Sequence, residues 1–273
     1  MGRPMSTPLL GLLSDLAAET TVVDDLLVGL ADPDWELPTP ADGWAVRDQI
    51  SHLAFFDEAA VTAATDPERF RSEAAELVAL GSGFPDAVAE RYRDLPVPEL
   101  ARWFRDARAE LLAVFSELDG KQRVPWFGPD MSIMSSATAR LMETWAHGQD
   151  LFDTFGIDRP ATARLRHIAH LGVRTLGFSF VLNGRDVPDS PVRVDLTAPD
   201  GSLWTWGDDD AADTVTGSAL DFCLVVTQRR HPIDTDLVAA GPVAAEWLSI
   251  AQAFAGAPGP GREPGSSYLE EIS

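Results

Sequence analysis

Residues 134–155 read as one helix with two separate lines of side chains. Leu141, Trp145, Phe152 and Phe155 form an apolar line, and Arg140, Glu143, His147 and Asp150 form a polar one. If the apolar line packs on a neighbour while the polar line points into a bundle axis, the polar groups need partners or a cation, because burying them unpaired is costly. Glu143 and His147, four residues apart, sit one turn apart on the same face, where both can reach one ion. His52, far upstream, lies on another helical pattern and is placed to add a third ligand from a facing helix. Two histidines and one carboxylate leave a coordination position open, which is the arrangement of catalytic metal sites.

Apolar spacing along the chain supplies the helices such a site needs. Leu9, Leu12, Leu13, Leu16, Val23, Leu26, Leu27 and Leu30 mark a first helix over 7–31. A second runs from about Trp44 to Thr65 before Asp66-Pro67, with His52 near its middle. Short helical patterns broken by Gly81, Gly83 and Pro85 fill 67–97, and a third long pattern follows Pro96-Val97-Pro98 and continues through Leu118. A further helix is expected over 161–183. Then the texture changes: Val192, Val194 and Leu196 alternate with Arg193, Asp195 and Thr197, and Leu203–Trp206 and Thr214–Thr216 are also strand-like. Gly217-Ser218 predicts the start of a helix through Arg230, Asp236 begins a last strand, and Val243–Phe254 a last helix. The organisation expected is a helical bundle over 7–183, a smaller α/β domain over 190–256, and a Gly- and Pro-rich tail over 257–273 that reads as disordered or loosely draped.

Composition narrows the partners. A net charge of −22 repels nucleic-acid backbones and anionic membrane surfaces. Cys223, the one cysteine, lies in an apolar run and reads as a buried, inert thiol, so no intrachain disulfide forms. The N-terminal segment carries Asp15, Glu19, Asp24 and Asp25 and has no uninterrupted apolar core of a signal peptide or membrane span, so a cytoplasmic location is expected.

Three stretches carry a resemblance: Gly43-Trp44-Ala-Val-Arg47-Asp48-Gln-Ile-Ser-His52-Leu53, Pro125-Trp126-Phe-Gly128-Pro-Asp-Met131-Ser132, and Glu143-Thr-Trp-Ala-His147-Gly-Gln-Asp150. With these the chain resembles the mycothiol-dependent maleylpyruvate isomerases of the DinB-like metalloenzyme superfamily. The resemblance implies an α + α/β fold, a DinB-like four-helix bundle followed by a sterol-carrier-like α/β domain. It implies a divalent metal, usually zinc, on His52, Glu143 and His147. It also implies an arginine near the end of the second domain's helix that helps the reaction, for which Arg229 and Arg230 are both candidates. Some relatives of this architecture carry a wyosine-base-formation label, to which the acidity and the lack of an iron–sulfur cysteine set lend no support.

Other residues have plainer readings. Asp150 reads either as an acceptor orienting His147 or as a solvated side chain, and Arg140 as a surface partner of Glu143 that would compete with metal. His167, His170 and His231 read as structural, and Trp126 and Phe127 as packing anchors of a loop placed to roof the site. The function expected is a metal-dependent enzyme that uses a low-molecular-weight thiol, either to isomerise an unsaturated oxo-acid or to transfer the thiol to an electrophile, on a small electrophilic or carboxylate substrate. Two alternatives stand beside it: a metal-containing small-ligand-binding or regulatory protein, and a metal-dependent hydrolase.

Overall fold

A computed structural model describes residues 7–259 and 261–265. The chain divides into two compact units, Met1–Ile157 and Asp158–Ser273. The first is helical: α1 (Thr7–Val28), α2 (Val46–Thr65), α3 (Pro67–Val78), α4 (Phe84–Arg91), α5 (Val97–Ser116) and α6 (Ile133–Thr154). A two-residue antiparallel hairpin, β1 (Arg123–Val124) with β2 (Met131–Ser132), precedes α6. Local chemistry sets the helix starts. Asp66 accepts the Arg69 amide at α3, Ser132 accepts the Ser135 amide at α6, and Asp48 reaches back to the Ala45 amide at α2. The four long helices pack on one another, α2 on α5 and α6, and α1 on α6 and α5. Ile50, Leu53, Leu100 and Phe104 are fully buried where α2 meets α5. Helix α6 is buried on nearly every side, so both of its side-chain lines face protein.

Among those buried groups is a charged cluster. Arg108 of α5 donates through Nε to Asp57 Oδ2 of α2 at 2.6 Å and through Nη2 to Asp57 Oδ1 at 3.3 Å. The same Nη2 donates to Thr144 Oγ1 of α6 at 2.9 Å, and Nη1 donates to Thr20 Oγ1 of α1. One guanidinium thus joins all four long helices. Its forked geometry meets the carboxylate in two places, which a lysine could not do.

The second unit contains α7 (Leu165–Arg174) and α8 (Leu176–Leu182), then a four-stranded sheet with α9 (Ala219–Val226) and α10 (Pro242–Ile250). Strands β3 (Val192–Thr197), β4 (Leu203–Trp206), β5 (Asp213–Ser218) and β6 (Val238–Ala240) are ordered β4-β3-β5-β6. The β3–β5 pair is parallel and the other two pairs are antiparallel. Val192, Val194 and Leu196 point inward, as the alternation predicts. Asp213 Oδ1 accepts the Val243 and Ala244 amides and so fastens the start of α10.

Several boundaries differ from those read in the sequence. The units part at residues 157/158, not near 183, because α7 belongs with α9: a Cβ at Gly172 would stand 2.8 Å from Val226, so this glycine allows the two helices to close on each other. The expected 161–183 helix is two helices that meet at Thr175, whose hydroxyl turns back to the Leu171 and Gly172 carbonyls. The helix expected to reach Arg230 stops at Val226. Thr227 Oγ1 bonds the Cys223 carbonyl, Gln228 takes a positive φ of 60°, and the Arg229 and Arg230 amides both fold back to the Leu224 carbonyl. Of the tail, Gly259 accepts from Gln228 and the Gly265 amide is held by Asp234, while 260 and 266–273 lie outside the described residues.

Replacing Asp57 with alanine leaves a buried, uncompensated guanidinium. We expect Asp57→Ala to cost about 3–5 kcal/mol of unfolding free energy by urea titration. A loss no larger than that of an exposed-site substitution would contradict the role of this pair.

Candidate metal centre

Helices α2 and α6 bring three side chains to one point. His147 Nε2 lies 2.9 Å from Glu143 Oε2, and His52 Nε2 lies 3.4 Å from the same oxygen. The two imidazole centroids are 4.3 Å apart. All three donor atoms fall within 4.8 Å of one another, a group able to hold one metal ion. The helical register places Glu143 beside His147, and the packing of α2 on α6 supplies His52.

The hydrogen bonding around this group fits a cation. Gln49 Oε1 lies against His147 Nδ1, and Gln49 Nε2 donates to Thr39 Oγ1 at 2.7 Å, so the amide is oriented with its oxygen toward the ring. The His147 proton then sits on Nδ1, and the Nε2 lone pair faces a carboxylate oxygen at 2.9 Å. Two acceptors at that distance require positive charge, a proton or a metal ion. Burial alone would raise the Glu143 pKa, but the hydrogen bonds with His147 and His52 and the nearby positive charge outweigh it and hold the carboxyl well below its usual range. On His52, Nδ1 is buried without a partner.

Aromatic rings wall the group. Trp44 stacks on His147 at 5.8 Å with planes 13° apart, and its indole N–H is held by Asp86 at 2.8 Å. Phe56 lies 4.6 Å from the His52 ring. The loop between β1 and β2 adds Trp126 and Phe127, which pack on Phe56, Phe70 and Phe84.

Other expected residues fall in different places. The acceptor at His147 Nδ1 is Gln49, three residues before His52 on the same face of α2. Asp150 is buried, 2% exposed, which excludes its solvated reading. Arg140 is not a surface partner of Glu143: it is 4% exposed, with its guanidinium carbon 5.5 Å from the Phe56 ring and 5.7 Å from Trp126. His170 accepts from the Trp206 indole and His231 caps a short turn, both structural bonds. Cys223 is buried, and burial pushes its thiol above the ordinary range. Arg229 and Arg230 stand half-buried in the second unit, Arg229 donating to the Thr227 carbonyl and Arg230 to that of Arg229.

Residues 16–152, half the chain and all three of these ligand candidates, match the family described as "Mycothiol maleylpyruvate isomerase N-terminal domain". The chain belongs to the mycothiol maleylpyruvate isomerase family. Two uncharacterized proteins of Mycobacterium tuberculosis, from different strains, are each 46% identical to it over 92% of this chain and 97% of their own length. The crystal structure of the mycothiol-dependent maleylpyruvate isomerase shares the fold with a TM-score of 0.58 at 14% identity, over 85% of this chain and 92% of that one. A histidine-to-alanine mutant of that enzyme matches with a TM-score of 0.57. This is an enzyme family with a thiol co-substrate. Residues 188–240 match a second family, "Wyosine base formation", so the label set aside in the sequence attaches to the sheet of the second unit. Among the described residues no helix is long and apolar enough to cross a membrane.

Burial, with the His147 ring next and Arg140 also nearby, lowers the His52 pKa from 6.5 to about 4, against the raising effect of Glu143. Between those values the unfolded chain binds a proton at His52 that the folded chain does not, so stability rises with pH across this window and is lost on acidification. Glu143, also depressed, acts in the same direction at lower pH. The melting temperature of metal-free protein should therefore drop between pH 6.5 and 4, and His52→Gln should flatten the upper part of that drop. A wild-type melting temperature constant over the window would contradict the assignment.

Proposed function

We propose that His52, Glu143 and His147 hold one divalent metal ion, zinc, and that the protein catalyses the thiol-dependent isomerisation of an unsaturated oxo-acid. The observation that supports this reading best is the convergence of two imidazole nitrogens on one carboxylate oxygen, with the His147 tautomer fixed by Gln49, in a chain of this family. A zinc ion so held would supply a Lewis acid that brings a coordinating thiol into its thiolate form near neutral pH.

The protein's own residues do the rest. Gln49 keeps the proton on His147 Nδ1 and so leaves Nε2 free to ligate. Trp44, pinned by Asp86, and Phe56 line the two rings with apolar surface and keep bulk water from the donor atoms. The thiolate of the co-substrate, for which buried Cys223 is no substitute, adds to the double-bond carbon conjugated with the oxo group, and the displaced electron pair becomes an enolate. The former double bond turns as a single bond. The enolate then re-forms the carbonyl and expels the thiolate, leaving the isomerised double bond with no net change in atoms or oxidation state. Arg229 or Arg230 is carried in this reading as the cation for a substrate carboxylate, as the resemblance implies. The chain's acidity, −22, disfavours a role on nucleic acid despite the name of the second matching family.

Two measurements test this. Metal analysis of wild type should give one ion per chain, and His147→Ala should lose it. Turnover of a cis-unsaturated oxo-acid should require an added thiol. Full metal content in His147→Ala would remove that residue from the site. Turnover without thiol would favour a hydrolase, and retention of an apolar molecule without any turnover would favour a binding protein.

A further inference from the structure

The helical unit keeps a buried cation for which the metal ligands have no use. Arg140, one turn before Glu143 on α6, is 4% exposed, and its Nη1 is buried without a hydrogen-bond partner. The nearest carboxylates are engaged elsewhere. Asp57 is taken by Arg108 in two contacts, and Glu143 Oε2 faces His147 and His52. The rings of Phe56 and Trp126, at 5.5 and 5.7 Å, offset only part of the cost of desolvating the guanidinium. Such an arrangement satisfies the faces of the guanidinium and leaves donor hydrogens on its edge unused, and that edge is where a carboxylate binds in two places.

Phe56 also links this cation to the metal group. The same ring lies 4.6 Å from His52 and 5.5 Å from the Arg140 guanidinium carbon, so the two are neighbours across one aromatic side chain. The ring on the other contact, Trp126, is partly exposed and sits on the loop between β1 and β2. The indole that covers the guanidinium is thus borne on a loop and not on one of the main helices.

We propose that Arg140 is a carboxylate-recognition residue beside the metal group: it receives one carboxylate of an anionic substrate whose reacting carbons lie toward His52, Glu143 and His147. This rests on the metal-site reading above and adds to it the side chain that selects a carboxylate. A divalent ion against the single charge of Glu143 leaves the site positive, and Arg140 adds a second fixed positive charge beside it. The pocket is matched to an anion although the chain as a whole is strongly acidic.

The test uses metal-loaded protein titrated calorimetrically with maleate and with its monoamide, in wild type, Arg140→Gln and Arg140→Lys. Wild type should prefer maleate. Arg140→Gln should lose roughly 10- to 100-fold in maleate affinity, the value of a hydrogen-bonded charged contact, and most of the preference over the monoamide, while metal content stays at wild-type level. Arg140→Lys, which keeps the charge without the fork, should lose part of that preference. A purely structural arginine would weaken both ligands equally. An undiminished preference in either variant, or no maleate binding by wild type, overturns the proposal. If Arg140→Gln does not fold, the lysine variant decides alone by the same criterion. Arg140-dependent maleate binding without thiol-dependent turnover would sink the functional reading and keep the anion site; thiol-dependent turnover with Arg140-independent binding would do the reverse.

Discussion

The buried Arg108–Asp57 ion pair fixes the register of the helices that carry the candidate ligands. Arg108 meets Asp57 on α2, five residues past His52, and Thr144 on α6, next to Glu143, so the bond network that joins α2, α5 and α6 is anchored close in sequence to the candidate metal ligands. A buried pair of this kind is a weak source of net stability, since desolvation offsets much of the attraction. Its effect here is positional. Apolar contacts between helices tolerate sliding, whereas a guanidinium with directed bonds to three other helices tolerates little, and the 2.9 and 3.4 Å approaches to Glu143 depend on that register. The pair also absorbs the charge of Asp57, which leaves Arg140 as the uncompensated cation beside the site.

Much of this was legible in the sequence where one period or one spacing decides. The long helices follow from apolar residues at three-and-four spacing, and Glu143 with His147 follows from a separation of four. Gln49 was legible in principle, three residues before His52 on the same face, but a glutamine at helical spacing looks alike whether it is solvated or, as here, buried against the His147 ring. Arg140 was read as a surface partner of Glu143. Its actual neighbours, Phe56 and Trp126, come from another helix and from a loop, and no local pattern reports that packing. The division between units was missed for the same reason. Residues 165–182 are helical like those before them, and only tertiary contacts assign them to the sheet-containing unit, among them the close approach of Gly172 to Val226 and the bonds of Ser179 with Gln252. The early end of α9 at Val226 turns on the backbone bonds of Thr227 and the positive φ of Gln228, in a stretch without the usual glycine stop signal.

The acidity of the chain and the positive charge of the proposed site act over different distances. Exposed carboxylates are screened beyond about 8–10 Å at physiological salt. Arg140 lies against the rings of Phe56 and Trp126, and it and a metal ion held by the candidate group would be screened far less and would dominate the field where a substrate lies. On the proposed reading, selectivity for an anion would rest on short-range contacts with Arg140 and a metal ion, and the surface charge contributes mainly solubility.

The central claim is that His52, Glu143 and His147 hold a metal ion with a position left for a thiol. X-ray absorption at the metal edge of zinc-loaded protein tests it most directly, with and without a small thiol. The account expects imidazole nitrogen and carboxylate oxygen scatterers at about 2.0–2.2 Å, and one new sulfur scatterer at about 2.3 Å when thiol is added. A spectrum without histidine scattering, or one that the thiol leaves unchanged, would contradict it.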